Sequence, residues 1–304
     1  MGCGITPPRK MASEIATIRF VKKNTKIPVP EVLAYDPDED GKVGGEWMLM
    51  EYIKGVNVQK AWQNMDEDQR ALVVRAIADV WAELLGLRFS SIGSIWEDGE
   101  NGFKVGPMTF MPTGKVAAIA PPDPKKCGPF ESPLEWIQAV ARRDLAYQCS
   151  PEEDETERQL RTVAVVEQIA SDRIVPEQPD DDMTRIALEH GDMNYSNILL
   201  DETNPTVIKA VIDWEGARTV PLWAIQLRPF GRFREDVMSE KDIQRYQLLF
   251  RSYVGEKVPA WLAATGDPGK HLRRCLTIAE WSDRVDPLEF FETVDKWHQG
   301  LNEI

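Results

Sequence analysis

Apolar residues recur at helical spacing in some stretches of the chain and at strand spacing in others. Ile15, Ile18 and Val21, with Phe20 beside them, form one helical stripe, and Ser13 is placed to cap it just before Glu14. Ile27-Pro28-Val29-Pro30 then forces an extended passage, because proline breaks helices and biases the residue before it away from helical backbone. Residues 32–35 read as a short strand, and the Asp-, Pro- and Gly-rich stretch 36–45 turns into a second strand over 47–52, which Lys54-Gly55 ends. Beyond this point the pattern is mostly helical. Asp66 with Gln69 resembles a capping box ahead of Leu72, Val73, Ala76, Ile77, Val80, Trp81 and Leu84, a helix ending at Gly86. Ser132-Pro133-Leu134-Glu135 opens another, with proline at the first helical position, leading through Trp136, Ile137, Val140 and Leu145. Further helices are expected over 156–170, 241–253 and 270–281 and before the C-terminus, whereas 92–112 reads as hairpins or loops. Short strands are expected over 185–188, 198–200 and 206–212.

Composition narrows the class without naming a function. The 304 residues, 42% hydrophobic and 28% charged, suit one large domain or two unequal lobes. No apolar run approaches the roughly 18 residues that span a bilayer, so no transmembrane segment is expected. Pro7, Pro8, Arg9 and Lys10 stand where a secretory signal would be apolar. Cys3, Cys127, Cys149 and Cys275 lack CxxC pairing and read as free thiols of a reducing, cytoplasmic setting. The formal charge of −14 argues against a nucleic-acid partner and is compatible with a cationic small substrate. The acidic runs Glu152-Glu153-Asp154 and Asp180-Asp181-Asp182 read first as solvated loops and helix starts. Gly2 and Cys3 fit a loose acylation pattern, but Pro7 and Pro8 stiffen the segment that a transferase must thread, so lipid anchoring is not the expectation.

The chemistry is concentrated in His190-Gly191-Asp192-Met193-Asn194-Tyr195-Ser196-Asn197, followed by Ile198-Leu199-Leu200 and then Val211-Ile212-Asp213-Trp214. An Asp and an Asn five residues apart on a loop, with a second Asp ending the next strand, form a minimal apparatus for phosphoryl transfer. The first Asp can orient and deprotonate an attacking hydroxyl, and the Asn and later Asp can hold the metal that neutralises nucleotide phosphates. A hairpin from 198–200 to 207–212 would bring Asn197 and Asp213 together, as ligands of one hard cation must be. The competing reading is a surface loop whose Asp and Asn make only turn hydrogen bonds.

The segment 190–197 with Asp213 resembles the motifs of the aminoglycoside phosphotransferase-like branch of the protein-kinase-like fold, a branch that includes choline, homoserine and fructosamine kinases. Stretches 14–32, 47–55, 93–107, 128–136 and 213–223 look like fungal members, so the resemblance covers most of the chain. It implies an α+β, two-lobed fold: a partial N-lobe over 1–54 with a hinge at 50–54, and a large, mostly helical C-lobe over 55–304. It implies Asp192 as catalytic base toward a small hydroxylated acceptor, Asn197 and Asp213 as Mg2+ ligands, and His190 as a structural brace of the catalytic loop. For ATP it implies backbone groups of Glu51 and Ile53 at adenine, with Met50 behind it, and Glu14 as the helix carboxylate that pairs with a phosphate-gripping cation. Trp214-Glu215 departs from the Phe-Gly of protein kinases: Trp214 reads as packing, and Glu215 as either a substrate contact or a structural carboxylate. Trp223 reads as core.

The same resemblance places a Lys- or Arg-bearing strand and a phosphate-covering loop ahead of the Glu14 helix, and few residues precede it here. Arg9 and Lys10 are candidate substitutes, although Lys10 stands four residues from Glu14, a local relationship that need not aim it into a cleft. The strand over 47–52 is then expected to expose a sheet edge. The chain therefore reads as a shortened form, or a misassigned start, of a working small-molecule kinase. The alternatives are an inactive kinase-like scaffold, or residues 1–10 rebuilding a minimal edge strand.

Overall fold

The computed structural model describes residues 10–38, 40–100, 102–109, 122–142, 144–145, 185–225 and 238–266, with a few single positions besides. Gly2, Cys3, Arg9 and the final helix lie outside the described residues, as do most of the helix expected over 156–170 and most of 270–281.

Helix α1, Lys10–Asn24, starts three residues before Ser13. Ser13 is therefore not a cap. It is buried inside the helix, and its Oγ donates to the Ile95 carbonyl at 3.0 Å, which fixes α1 to the strand that contains Ile95. At the other end Thr25 donates from N and Oγ1 to the Val21 carbonyl, at 3.0 and 2.8 Å, and Lys22 and Lys23 complement the helix dipole. Phe20 packs on Phe89 and Phe103, with ring centroids 5.5 Å away in each case.

Strands β1 (Val32–Asp36) and β2 (Trp47–Met50) pair antiparallel, with Asp36 opposite Trp47 and Ala34 opposite Leu49. The second strand stops two residues earlier than its pattern suggested, though Glu51 N–H still donates to the Glu31 carbonyl at 2.8 Å. Before β1, the Pro28 carbonyl accepts from Val211 N–H at 2.8 Å, so the proline-forced stretch is laid against a distant strand.

After the expected hinge, β3 (Val56–Asn57) leads into α2 (Val58–Trp62), capped by Asn57, and α3 (Glu67–Gly86) follows. The Asp66–Gln69 capping box forms as its sequence indicates. Val73, Val74, Ile77, Ala78, Trp81, Leu84 and Leu85 are buried on α3, whereas Leu72, which the pattern placed in the stripe, is exposed. Strands β4 (Ser94–Glu97) and β5 (Phe103–Gly106) make an antiparallel hairpin. Helix α4 (Pro133–Ala141) has the Ser132–Glu135 capping box and Pro133 in its first turn.

The remaining strands carry the loops of interest. β6 (Ile186–Glu189) pairs antiparallel with β9 (Arg218–Pro221). β7 (Ile198–Leu200) pairs with β3 on one side and with β8 (Ile208–Val211) on the other. Helices α5 (Glu240–Lys257), capped by Ser239, and α6 (Pro259–Ala264) close the described chain, with α5 against α3. The two-residue β3, β9, α2 and α6 were missed in the sequence because each is too short to show a period. Trp62, Trp136, Trp214, Trp223 and Trp261 are all fully buried, and burial of such large rings supplies much of the core. The architecture is α+β, with small antiparallel sheets among helices.

Candidate active site

Two loops converge here: 190–197, between β6 and β7, and 212–217, between β8 and β9. The β7–β8 pairing sets Ile198 opposite Val211, so Asn197 and Asp213 leave the hairpin at the same end. Ile212 N–H donates to the Asn197 carbonyl at 2.9 Å, which extends the ladder into the loops.

Asn197 joins the three polar residues of the motif. Its Nδ2 donates to the Asp192 carbonyl at 2.9 Å and reaches Asp213 Oδ2 at 3.2 Å. Asp192 in turn accepts from Asn194 Nδ2 at 3.0 Å on Oδ2, while Asn194 Oδ1 takes Ser196 N–H at 2.8 Å and the Ser196 hydroxyl. Asn194 thus holds the Asp192 carboxylate in one orientation. It had not been singled out, although the Asp-x-Asn-x-Ser spacing is a signature of side chains closing local turns.

Beneath the loops the side chains are buried. His190 is buried, its Nε2 is 3.1 Å from the Ile212 carbonyl, and its ring lies 4.4 Å from Trp214. Burial pushes its pKa down to about 4, against the raising effect of the Ile212 hydrogen bond. The imidazole is therefore neutral and donates from Nε2, bracing one loop on the other. Trp214 Nε1 donates to the Val211 carbonyl at 3.0 Å. Gly191, at φ 85°, passes so close to the second loop that a Cβ would stand 2.5 Å from the Gly216 carbonyl oxygen. Only glycine fits that approach.

Asp213 itself has φ 67°, the only non-glycine residue at positive φ among those described. Its pKa is raised, first by burial and then by the nearby Glu215 and Asp192 carboxylates. Glu14, reaching in from α1, is raised to about 7 by burial first and then by Glu215 and Asp213, while its carboxylate accepts the Trp214 N–H. Lys10 Nζ pairs with Glu215. The i,i+4 spacing of Lys10 and Glu14 puts both on the face of α1 that meets this loop.

Met50, Glu51 and Ile53 lie elsewhere, on the stretch leaving β2. Met50 and Glu51 are exposed and Ile53 is half-buried. The Glu51 side chain turns back to the residue before β1, where its Oε2 accepts Glu31 N–H at 3.2 Å. The chain from this stretch comes up to the site hairpin at Gly55, where a Cβ would stand 2.7 Å from the Leu200 carbonyl.

The sequence profile of the Phosphotransferase enzyme family (APH) matches residues 4–224, most of the chain. The chain belongs to this family. This phosphotransferase-family chain is 24% identical to a subtelomeric hrmA-associated cluster protein of Aspergillus fumigatus, over 69% of its own length and 50% of the relative's. It is also 24% identical to Altered inheritance of mitochondria protein 9 of Yarrowia lipolytica, over 82% of itself and 49% of that protein. The chain thus spans about half the length of these relatives. Among solved structures, an aminoglycoside-3'-phosphotransferase of type VIII superposes with a TM-score of 0.48 at 17% identity, covering 90% of this chain and 81% of that one. The fold is α+β, and both loops described above fall within the matched residues.

Proposed function

We propose that this chain is an ATP-dependent phosphotransferase that moves the γ-phosphoryl group to a hydroxyl of a small-molecule acceptor. The observation that carries the reading is the meeting of Asp192, Asn197 and Asp213 through the Asn197 side chain, within a family of phosphotransferases. In this reading Asp192, oriented by Asn194, receives the acceptor's hydroxyl proton as the oxygen attacks phosphorus. His190 touches no substrate. It holds the two loops in register.

Asn197 and Asp213 are the residues that would hold magnesium. They offer hard oxygen donors, and the carboxylates around Asp213 leave a local excess of negative charge that a divalent cation relieves. Among the described residues no group of three His, Cys, Asp or Glu side chains is close enough to form a cage alone. Magnesium does not require one, since it commonly takes one or two protein oxygens and fills its shell with phosphate and water. When bound, the metal supplies neutralisation of charge on the transferring phosphoryl group. A two-lobed division with a hinge at 50–54 belongs to the same proposal, with Glu51 and Ile53 backbone groups at adenine and Met50 behind it.

The test is magnesium-dependent ATP consumption against a panel of hydroxylated acceptors, with and without Asp192→Asn. Turnover should fall by about two to four orders of magnitude in the variant. Absence of turnover with every acceptor, or a variant as active as its parent, would sink the proposal.

A second reading, an inactive kinase-like scaffold, is favoured by the exposure of Leu33, Leu49 and Tyr52 on and beside the β1–β2 sheet, a surface suited to a partner. A rise in melting temperature with Mg·ATP separates the two, since only a nucleotide binder is stabilised by linkage. No described helix is long and apolar enough to cross a membrane. The reading places the protein in the cytoplasm, whereas the Yarrowia relative is named as a mitochondrial protein. Imaging of a tagged chain decides between them.

A further inference from the structure

Lys10 and Glu14 stand one turn apart on α1, and both grip the loop after β8. Lys10 pairs with Glu215, and Glu14 accepts the Trp214 N–H. Glu14, Asp213 and Glu215 act on one another as like charges, and Lys10 is the cation that acts on both Glu14 and Asp213. Its side chain is only 15% exposed, against 31% for Glu215. An ammonium so far withdrawn from water is held there by its carboxylate neighbours, and its attraction to any anion entering the cleft is correspondingly strong.

A lysine head is a compact charge with three donors on a flexible stem, and Glu215 accounts for one direction only. A polyphosphate entering beside Asp192, Asp213 and Glu215 meets repulsion from each of them. Metal held by Asn197 and Asp213 offsets part of it. The phosphate oxygens farther from that metal require a cation from the protein, and Lys10 reaches the loop two residues beyond Asp213.

Resting on the phosphotransferase reading above, we propose that Lys10 is a protein cation that receives the nucleotide's phosphate oxygens, and that its ion pair with Glu215 is the resting position it leaves to do so. Helix α1 then does two jobs from neighbouring turns: Lys10 meets phosphate while Glu14 holds the Asp213 loop by the Trp214 N–H.

The experiment measures binding of Mg·ATP and of adenosine, by calorimetry, to the full chain and to Lys10→Met, Lys10→Arg and Glu215→Gln. Lys10→Met should weaken Mg·ATP by about ten- to a hundredfold, as loss of a charged hydrogen bond does, and change adenosine by less than about twofold. Lys10→Arg should restore most of the ATP affinity. Glu215→Gln, which frees the lysine without touching it, should tighten Mg·ATP. The inference is overturned if Lys10→Met binds Mg·ATP as its parent does, or loses ATP and adenosine equally, which marks a purely structural bridge. It is equally overturned if Glu215→Gln weakens ATP as much as Lys10→Met. If the parent chain binds neither ligand, the phosphotransferase reading itself fails and this assignment goes with it. Melting temperatures of the unliganded variants show that each is folded.

Discussion

The β7–β8 hairpin and the β1–β2 hairpin are built from similar material and end up in different conditions. Each is an antiparallel pair of short apolar strands joined by a polar turn. In the first, Ile198, Leu200, Ala210 and Val211 are buried, and the loops beyond are locked by His190, Trp214 and the Asn197–Ile212 ladder bond. In the second, Leu33 and Leu49 are 59% and 55% exposed, and Tyr52 just past the strand is 88% exposed. The polar groups that could do chemistry sit on the hairpin whose backbone is over-determined. Such support is what allows Asp213 to keep a positive φ, which costs about 1–3 kcal/mol where it is not enforced.

Four measurements would break or sharpen this contrast. Trp214→Ala should cost the most, about 3–5 kcal/mol in urea unfolding, because a fully buried indole also leaves His190 without its packing partner. A loss under about 1 kcal/mol would mean the loops are not held from below.

Next comes pH. His190 titrates at about 4 in the folded protein, against 6.5 ordinarily. The unfolded chain therefore takes up the proton first as pH falls. Stability from this residue is complete above about pH 6.5 and is lost progressively toward pH 4, by about 3 kcal/mol. Chemical unfolding across that range should show the slope in the parent and a flatter one in His190→Asn.

Gly191→Ala should cost about 2 kcal/mol, through both its φ of 85° and the clash with the Gly216 carbonyl. It should also weaken Mg·ATP binding if the two loops must stay in register. At the small end, Leu49→Thr on the exposed sheet should stay within about 0.5 kcal/mol, and a larger loss would show that this face is covered.

Much of this was legible in the chain. Capping boxes at Asp66 and Ser132 are local hydrogen-bond patterns, and both form as written. The Asp192–Asn197–Asp213 spacing anticipated a hairpin with both ends together, and the pairing of Ile198 with Val211 supplies it. Ser13 misled because a serine before an apolar stripe looks the same whether it caps a helix or bonds a strand more than 80 residues away. Lys10 was undervalued for a similar reason. Its sequence neighbourhood specifies the face of α1 on which it lies, and says nothing of what packs against that face.

By itself, then, the sequence determined the local elements with their caps and the family to which the residue types belong, because periodicity, capping and motif spacing act within a few residues. Tertiary structure decided the rest. It gathered Glu14 and Lys10 onto the loop of Asp213 and Glu215, buried His190 until it is neutral, and left one hairpin locked and the other exposed. Those outcomes depend on burial and on charges brought together across long stretches of chain, and neither quantity exists until the chain has folded.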